Sequence, residues 1–181
     1  IYDRAGYGWS SNSPNPRNSG EMMQEFEALM RQADIPPPYV LVGDSLGSYT
    51  MRLYAHTYPE RVAGLSLTDG LHEDGMGGLP ASLQLMKGVF TAGFFISVLG
   101  AALGLVRILH QLGLFQVISP KLRQYSKAQL APVLRSFSRP KHWFTMAREM
   151  MSLNTSSEQL RKTGDLGTLP VINLRARHFF T

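Results

Sequence analysis

The stretch Pro38-Tyr39-Val40-Leu41-Val42-Gly43-Asp44-Ser45-Leu46-Gly47-Ser48-Tyr49 decides how the chain is read. Tyr39 to Val42 form a short continuous apolar run with β-branched and aromatic members, the pattern of a strand buried on both faces of a parallel sheet. Leu46, Tyr49 and Leu53 then recur at helical spacing until Pro59 ends the helix, with Tyr58 biased out of the α region before it. Between strand and helix lies Gly43-Asp44-Ser45-Leu46-Gly47, a Gly-x-Ser-x-Gly turn. In that context the serine takes a strained turn conformation, and the flanking glycines let backbone pass close on either side. Ser45 is therefore the candidate nucleophile; the competing reading is a serine in an ordinary strand-to-helix loop.

Upstream, Ile1 and Tyr2 read as the tail of a strand whose beginning is missing, which makes the chain a fragment on this reading. Asp3 to Ser10, with Gly6 and Gly8, reads as a tight loop. Ser19 is a plausible N-cap with Glu21 in the first turn, and Met22, Met23, Phe26, Leu29, Met30 and Ala33 form one apolar helical stripe. Asp34 and Pro36 to Pro38 close that helix. Downstream, Val62 to Thr68 reads as another strand, closing on Asp69 and Gly70. Short apolar strands alternating with helices imply an α/β fold, a parallel sheet with helices on both faces joined by right-handed crossovers. Ligands of such sheets bind outside the carboxyl ends of the strands, where Ser45 and Asp69 both fall.

Tyr2-Asp3-Arg4-Ala5-Gly6-Tyr7-Gly8-Trp9-Ser10, Tyr39 to Gly47, and Tyr58-Pro59-Glu60-Arg61-Val62-Ala63-Gly64-Leu65 together resemble the middle of an α/β-hydrolase-fold serine hydrolase. The resemblance is close over residues 1 to about 72 and weak beyond. It implies an incomplete α/β-hydrolase fold running from about the family's fourth strand to its seventh. The division it implies is a core over 1–72 with the nucleophile turn, a helical cap insertion over 73–160, and a return strand of the core over 161–181. Ser45 would be the catalytic serine, and the backbone N–H of Leu46 one oxyanion donor. The resemblance implies no cofactor and no metal. One departure is Asp44, where family members often carry His before the nucleophile.

The remaining catalytic inventory is incomplete. The family's second oxyanion donor precedes its fourth strand, and its catalytic histidine follows an eighth strand; both lie outside this sequence. His56 is eleven positions past Ser45 on the same helix and reads as a surface histidine; His72 follows the strand that ends at Thr68; His178 comes too soon after the last strand. Asp69 is the better candidate carboxylate, since some relatives place their acid after the sixth strand, against the alternative of a loop carboxylate that caps local amides. No Asp or Glu follows Asp165.

The insertion opens with Gly75, Gly77, Gly78 and Pro80 and continues into Gly88 to Val106, which carries no charge and is bracketed by Lys87 and Arg107. As helix this stretch would reach ~28 Å, close to a bilayer's hydrocarbon thickness. Gly93 and Gly100 invite a break, and a span here would place two parts of one sheet on opposite sides of a bilayer. A soluble apolar lid and membrane-surface contact are the readings that remain beside it. Lys121 to Phe137 and His142 to Leu153 read as further, more polar helices, and Leu169 to Leu174 as the return strand.

At 181 residues the chain can bury one sizeable core. The charge of +5 is spread along the sequence without a basic run of five, so a nucleic-acid partner is not expected. The absence of Cys removes disulfides, thiolate zinc sites and cysteine nucleophiles, and leaves the compartment open between cytoplasmic and membrane-associated. Two functions stay open. One is a serine hydrolase cleaving an ester, thioester or amide with a hydrophobic portion through an acyl-enzyme on Ser45. The other is a non-catalytic binding or membrane-associated module of the same fold. Dehalogenase and epoxide-hydrolase chemistry is disfavoured, because those relatives put Asp at the position of Ser45.

Overall fold

In a computed structural model of the chain, residues 2–74, 81–114, 117 and 120–175 are described, without the side chains of residues 83, 121 and 122. The elements in chain order are α1 (Ser19–Gln32), β1 (Tyr39–Asp44), α2 (Gly47–Thr57), β2 (Val62–Thr68), α3 (Ala81–Ala102), α4 (Leu105–Gln111), α5 (Lys127–Phe137), α6 (Pro140–Met151), α7 (Leu153–Arg161) and β3 (Val171–Leu174). They fall into two compact units: Arg17–Pro80 with Ser152–Thr181, and Ile1–Pro16 with Ala81–Met151. The opening segment thus groups with the helices of the insertion, and α7 groups with the sheet.

The first unit is a parallel three-stranded sheet of order β1-β2-β3 with helices packed against it. Asp44 pairs with Thr68 and Thr68 with Leu174, so the carboxyl ends of all three strands lie level. Met23 of α1, Tyr39 and Leu41 of β1, Tyr54 and Ala55 of α2, and Val62 and Leu65 of β2 form the core. Tyr54 is fully buried, a large apolar contribution whose hydroxyl needs a partner. It donates to Glu27 Oε2 at 2.6 Å, and Arg61 and Arg31 pair with the other carboxylate oxygen. Burial alone would raise the Glu27 pKa; the hydrogen bonds from Tyr54 and Arg31 and the charge of Arg61 hold it below the ordinary value. Burial, reinforced by Glu27, pushes the Tyr54 hydroxyl well above its ordinary value.

Two expectations change here. The N-cap of α1 is Asn18, whose side chain accepts from the Glu21 amide, and Ser19 is the first helical residue. The run Tyr39–Val42 is buried on one face only: Tyr39 and Leu41 point into the core, while Val40 and Val42 are 70% and 66% exposed. Strand alternation sends Val40 and Val42 to the opposite face, and α1 and α2 pack on the first. Tyr2 belongs to no strand, and Ile1 lies outside the described residues.

The second unit is helical, with α3 packed along α6 through Phe94–Trp143 and Phe95–Phe144 ring contacts. The break expected near Gly93 or Gly100 comes later: α3 runs unbroken to Ala102, and Gly104 at φ +78° turns the chain into α4. The helix expected over Lys121–Phe137 begins at Lys127 behind a reciprocal Ser126–Gln129 capping box, with a 3-10 turn over Pro120–Gln124 before it. Likewise the helix expected over His142–Leu153 is α6, and Leu153 opens α7. The loop Asp3–Ser10 is tied internally, Trp9 N donating to Asp3 Oδ2 at 3.0 Å. Side chains of α6 and of the turn before it hold it: Arg4 and Tyr7 on Glu149 at 2.9 Å each, and Arg139 and Lys141 on the Gly8 and Ser10 carbonyls. His142 is buried against Tyr7, Phe137 and Trp143 and pairs with Ser136 Oγ at 2.9 Å; burial lowers its pKa to about 4. Gly75, Gly77, Gly78 and Pro80 lie outside the described residues, as does His178.

Candidate functional site

Ser45 follows β1 and precedes α2 with φ +50°, in the left-handed region that L side chains rarely adopt. Gly43 makes this turn sterically feasible. A Cβ there would lie 2.8 Å from the Gly47 carbonyl oxygen and 2.9 Å from Ser48 Cα, so α2 crosses the strand end at a distance only glycine allows. Gly47 differs from the expectation of a glycine on either side, because a Cβ on it would meet no described atom within 4 Å.

The backbone of Ser45 is fixed on both sides. Its amide donates to Thr68 O of the neighbouring strand at 3.0 Å. Its carbonyl accepts from Ser48 N at 3.1 Å, Ser48 Oγ at 2.7 Å and Leu71 N at 3.3 Å. The Ser45 residue itself is exposed, so a rigid frame presents an accessible hydroxyl. Leu46 is the N-cap residue of α2, which puts its amide at the positive end of that helix. Asp44 is exposed at the end of β1.

Asp69 sits at the same sheet edge, one residue beyond β2, with φ +45° and its amide donating to Leu174 O at 2.8 Å. The loop that follows is clamped onto two helices. Tyr49 OH, fully buried, donates to His72 O at 2.9 Å, and burial raises its pKa. Arg52 grips Glu73 through two hydrogen bonds of 2.6 and 2.9 Å, and Ser157 and Arg161 of α7 donate to Glu73 O at 2.8 Å each. The Glu73 carboxyl is held below its ordinary pKa chiefly by the Arg52 hydrogen bonds. The Arg52–Glu73 clamp is absent from the reading of the sequence; its 21-residue separation carries no local pattern.

The histidines divide clearly. His72 lies on this loop, its ring 57% exposed, with Nδ1 3.6 Å from Asp74 Oδ2 and 3.8 Å from Glu73 Oε2. His56 is half-buried on α2, and burial lowers its pKa. It lines a cavity of about 590 Å³ with Val62, Ala63 and Asp165 to Pro170, at the amino ends of β2 and β3 and so at the far edge of the sheet from Ser45. Among the described residues, no group of three or more His, Asp or Glu is placed to hold a metal ion.

Known proteins carry the same frame. Among solved structures, the epoxide hydrolase CorEH superposes with a TM-score of 0.72 at 19% identity over 97% of this chain and 64% of its own. A putative epoxide hydrolase of Pseudomonas aeruginosa gives 0.69 at 16% identity over 99% of this chain and 62% of its own. At such identities the likeness is one of fold. An uncharacterized protein of Schizosaccharomyces pombe is 31% identical over 112 residues, 60% of this chain and 19% of that protein. An uncharacterized vacuolar membrane protein of Saccharomyces cerevisiae is 31% identical over 75 residues, 41% of this chain and 12% of that protein. The chain thus spans a fifth or less of these two curated relatives and under two thirds of the two solved structures named. Residues 1–116, which contain the Ser45 turn, β2 and Asp69, match the family described as alpha/beta hydrolase fold. With that match extending over more than half its length, and a parallel sheet that presents a strand-to-helix serine, the chain belongs to the alpha/beta hydrolase fold family.

Proposed function

We propose that Ser45 is the nucleophile of a hydrolase that cleaves an ester, thioester or amide through an acyl-enzyme. The observation that carries this reading is the φ of +50° at Ser45, held between the Thr68 carbonyl and the Leu71 amide in a turn that Gly43 makes possible. Strain of this kind has a cost, and its persistence at an exposed hydroxyl marks a presented nucleophile. In the reaction Ser45 Oγ loses its proton to a base as it bonds to the acyl carbon. The leaving group departs with that proton, and water then cleaves the acyl bond and restores the hydroxyl. The Leu46 amide supplies one donor to the oxyanion, and Asp69, at the same sheet edge, is the carboxylate to orient the base. The family resemblance implies Asp at this position in epoxide hydrolases and dehalogenases, so Ser45 favours acyl transfer over their chemistry.

The test is labelling of the full-length protein by a fluorophosphonate probe. Labelling is expected in the wild type and is lost in Ser45→Ala; labelling that survives the change moves the nucleophile elsewhere. Absence of labelling in a folded wild type favours the non-catalytic binding module.

A further inference from the structure

The charge of +5 is not spread evenly, although no basic run betrays it. From Gly75 to Arg148 the sequence has nine Lys or Arg and no Asp or Glu; the rest of the chain has nine Lys or Arg against all thirteen acids. The helical unit that contains this segment also presents its apolar side outward. On α3, Thr91, Phe94, Val98 and Ala101 are among the less exposed positions, with the Phe94 ring tilted against Trp143 of α6. Thr91 and Ser97 satisfy their hydroxyls on the helix itself, donating to Lys87 O and Gly93 O at 2.8 Å. Leu85, Val89, Ile96, Leu99 and Leu103, recurring at helical spacing, are between 62% and 76% exposed. A helix that meets water keeps its large apolar side chains against the packing partner; α3 does this with Phe94 and Phe95 and leaves a second apolar side uncovered. Past the bend at Gly104 the face continues on α4 in Ile108, 50% exposed, beside the exposed Arg107.

We propose that the outward face of α3 and α4 docks this protein on the surface of an anionic lipid bilayer. The apolar side chains enter the headgroup–acyl boundary, and the acid-free basic segment supplies the attraction to negative headgroups. Neither signal alone gives stable attachment, and together they do. The face lies on the membrane rather than crossing it. One side of α3 packs on α6 through Phe94–Trp143 and Phe95–Phe144, and α6 carries Lys141, Arg148 and Glu149, charges that a hydrocarbon interior would not accept. The inference is independent of the role of Ser45.

The experiment uses the full-length protein with an environment-sensitive nitrobenzoxadiazole label on a cysteine introduced by Ile96→Cys, any cysteines beyond these 181 residues being replaced, and a control label at Glu158→Cys in the sheet unit. Vesicles of phosphatidylcholine alone are compared with vesicles containing phosphatidylserine. A blue shift and rise in emission are expected at position 96 and not at 158. The half-saturating lipid concentration should be at least about tenfold lower with phosphatidylserine, and the preference should collapse at high salt. The double change Val89→Asp with Leu99→Asp should abolish the response while leaving the melting transition unchanged, since both side chains are exposed. Several results overturn the proposal: no response at position 96, an equal response to neutral vesicles, a response without lipid that grows with protein concentration and so reports a second copy, or a label at 96 quenchable only from the hydrocarbon centre, as in a span.

Discussion

At Gly43 a single added carbon would fall 2.8 Å from the Gly47 carbonyl oxygen, a contact with backbone that no side-chain rotation relieves. Gly43→Ala is therefore expected to destabilise the protein by about 1–3 kcal/mol, the range for forced overpacking, and to lower fluorophosphonate labelling by shifting the turn. Gly47→Ala should be neutral or stabilising by a few tenths to about 1 kcal/mol, because it opens α2 with nothing near its Cβ and alanine is the better helix former. Chemical denaturation of the two variants beside the wild type checks both signs. The two glycines look equivalent in the sequence and are not. Their difference depends on where the α2 backbone crosses the strand, a distance that no spacing encodes.

The loop from Asp69 to Glu73 behaves as part of the serine turn although it follows a different strand. Leu71 N reaches Ser45 O, and Tyr49 OH secures His72 O from inside the core. Tyr49→Phe keeps the buried ring and removes that donor, so a loss of about 1 kcal/mol is expected, with faster hydrogen exchange at the Leu71 amide. Unchanged exchange there would mean that Arg52, Ser157 and Arg161 hold the loop without Tyr49. Elements of this kind were legible in the sequence wherever a short local pattern decides them. The strand–turn–helix around Ser45, the Met22–Met30 stripe of α1 and the return strand Val171–Leu174 each rest on a handful of neighbouring residues. The Ser126 capping box was written in the sequence too, and the apolar pattern running from Lys121 concealed it. The Glu27–Arg61 pair spans 34 residues and the Arg4–Glu149 pair 145, so both depend on tertiary approach. Composition shows that α3 is apolar on every side; it does not show which side α6 covers.

At the scale of the molecule, each unit holds buried or half-buried groups that answer to acid: His142 in the helical unit, and Glu27 and His56 in the sheet unit. In the helical unit His142 is kept neutral by burial, its pKa lowered from 6.5 to about 4. The unfolded chain therefore takes up this proton first, and stability is lost as pH falls from about 6.5 toward 4. In the sheet unit the Glu27 carboxyl is held below its ordinary 4.5, so its contribution is present above that pH and lost as pH falls through the folded value. Denaturant melts of the full-length protein should show stability falling as pH drops below 6.5, with His56, whose pKa burial also lowers, contributing in the sheet unit; His142→Asn should flatten the helical unit's share of that limb and leave the sheet unit's. A helical-unit limb that His142→Asn leaves unchanged would contradict the assignment. Which spectroscopic signal sees which limb follows from where the indoles lie. Both tryptophans of the chain, Trp9 flanked by the guanidinium groups of Arg135 and Arg139 and Trp143 donating to Phe137 O, are in the helical unit. Within these residues, indole emission is blind to the sheet and its serine, and a melt followed by that colour alone would report the wrong half of the protein.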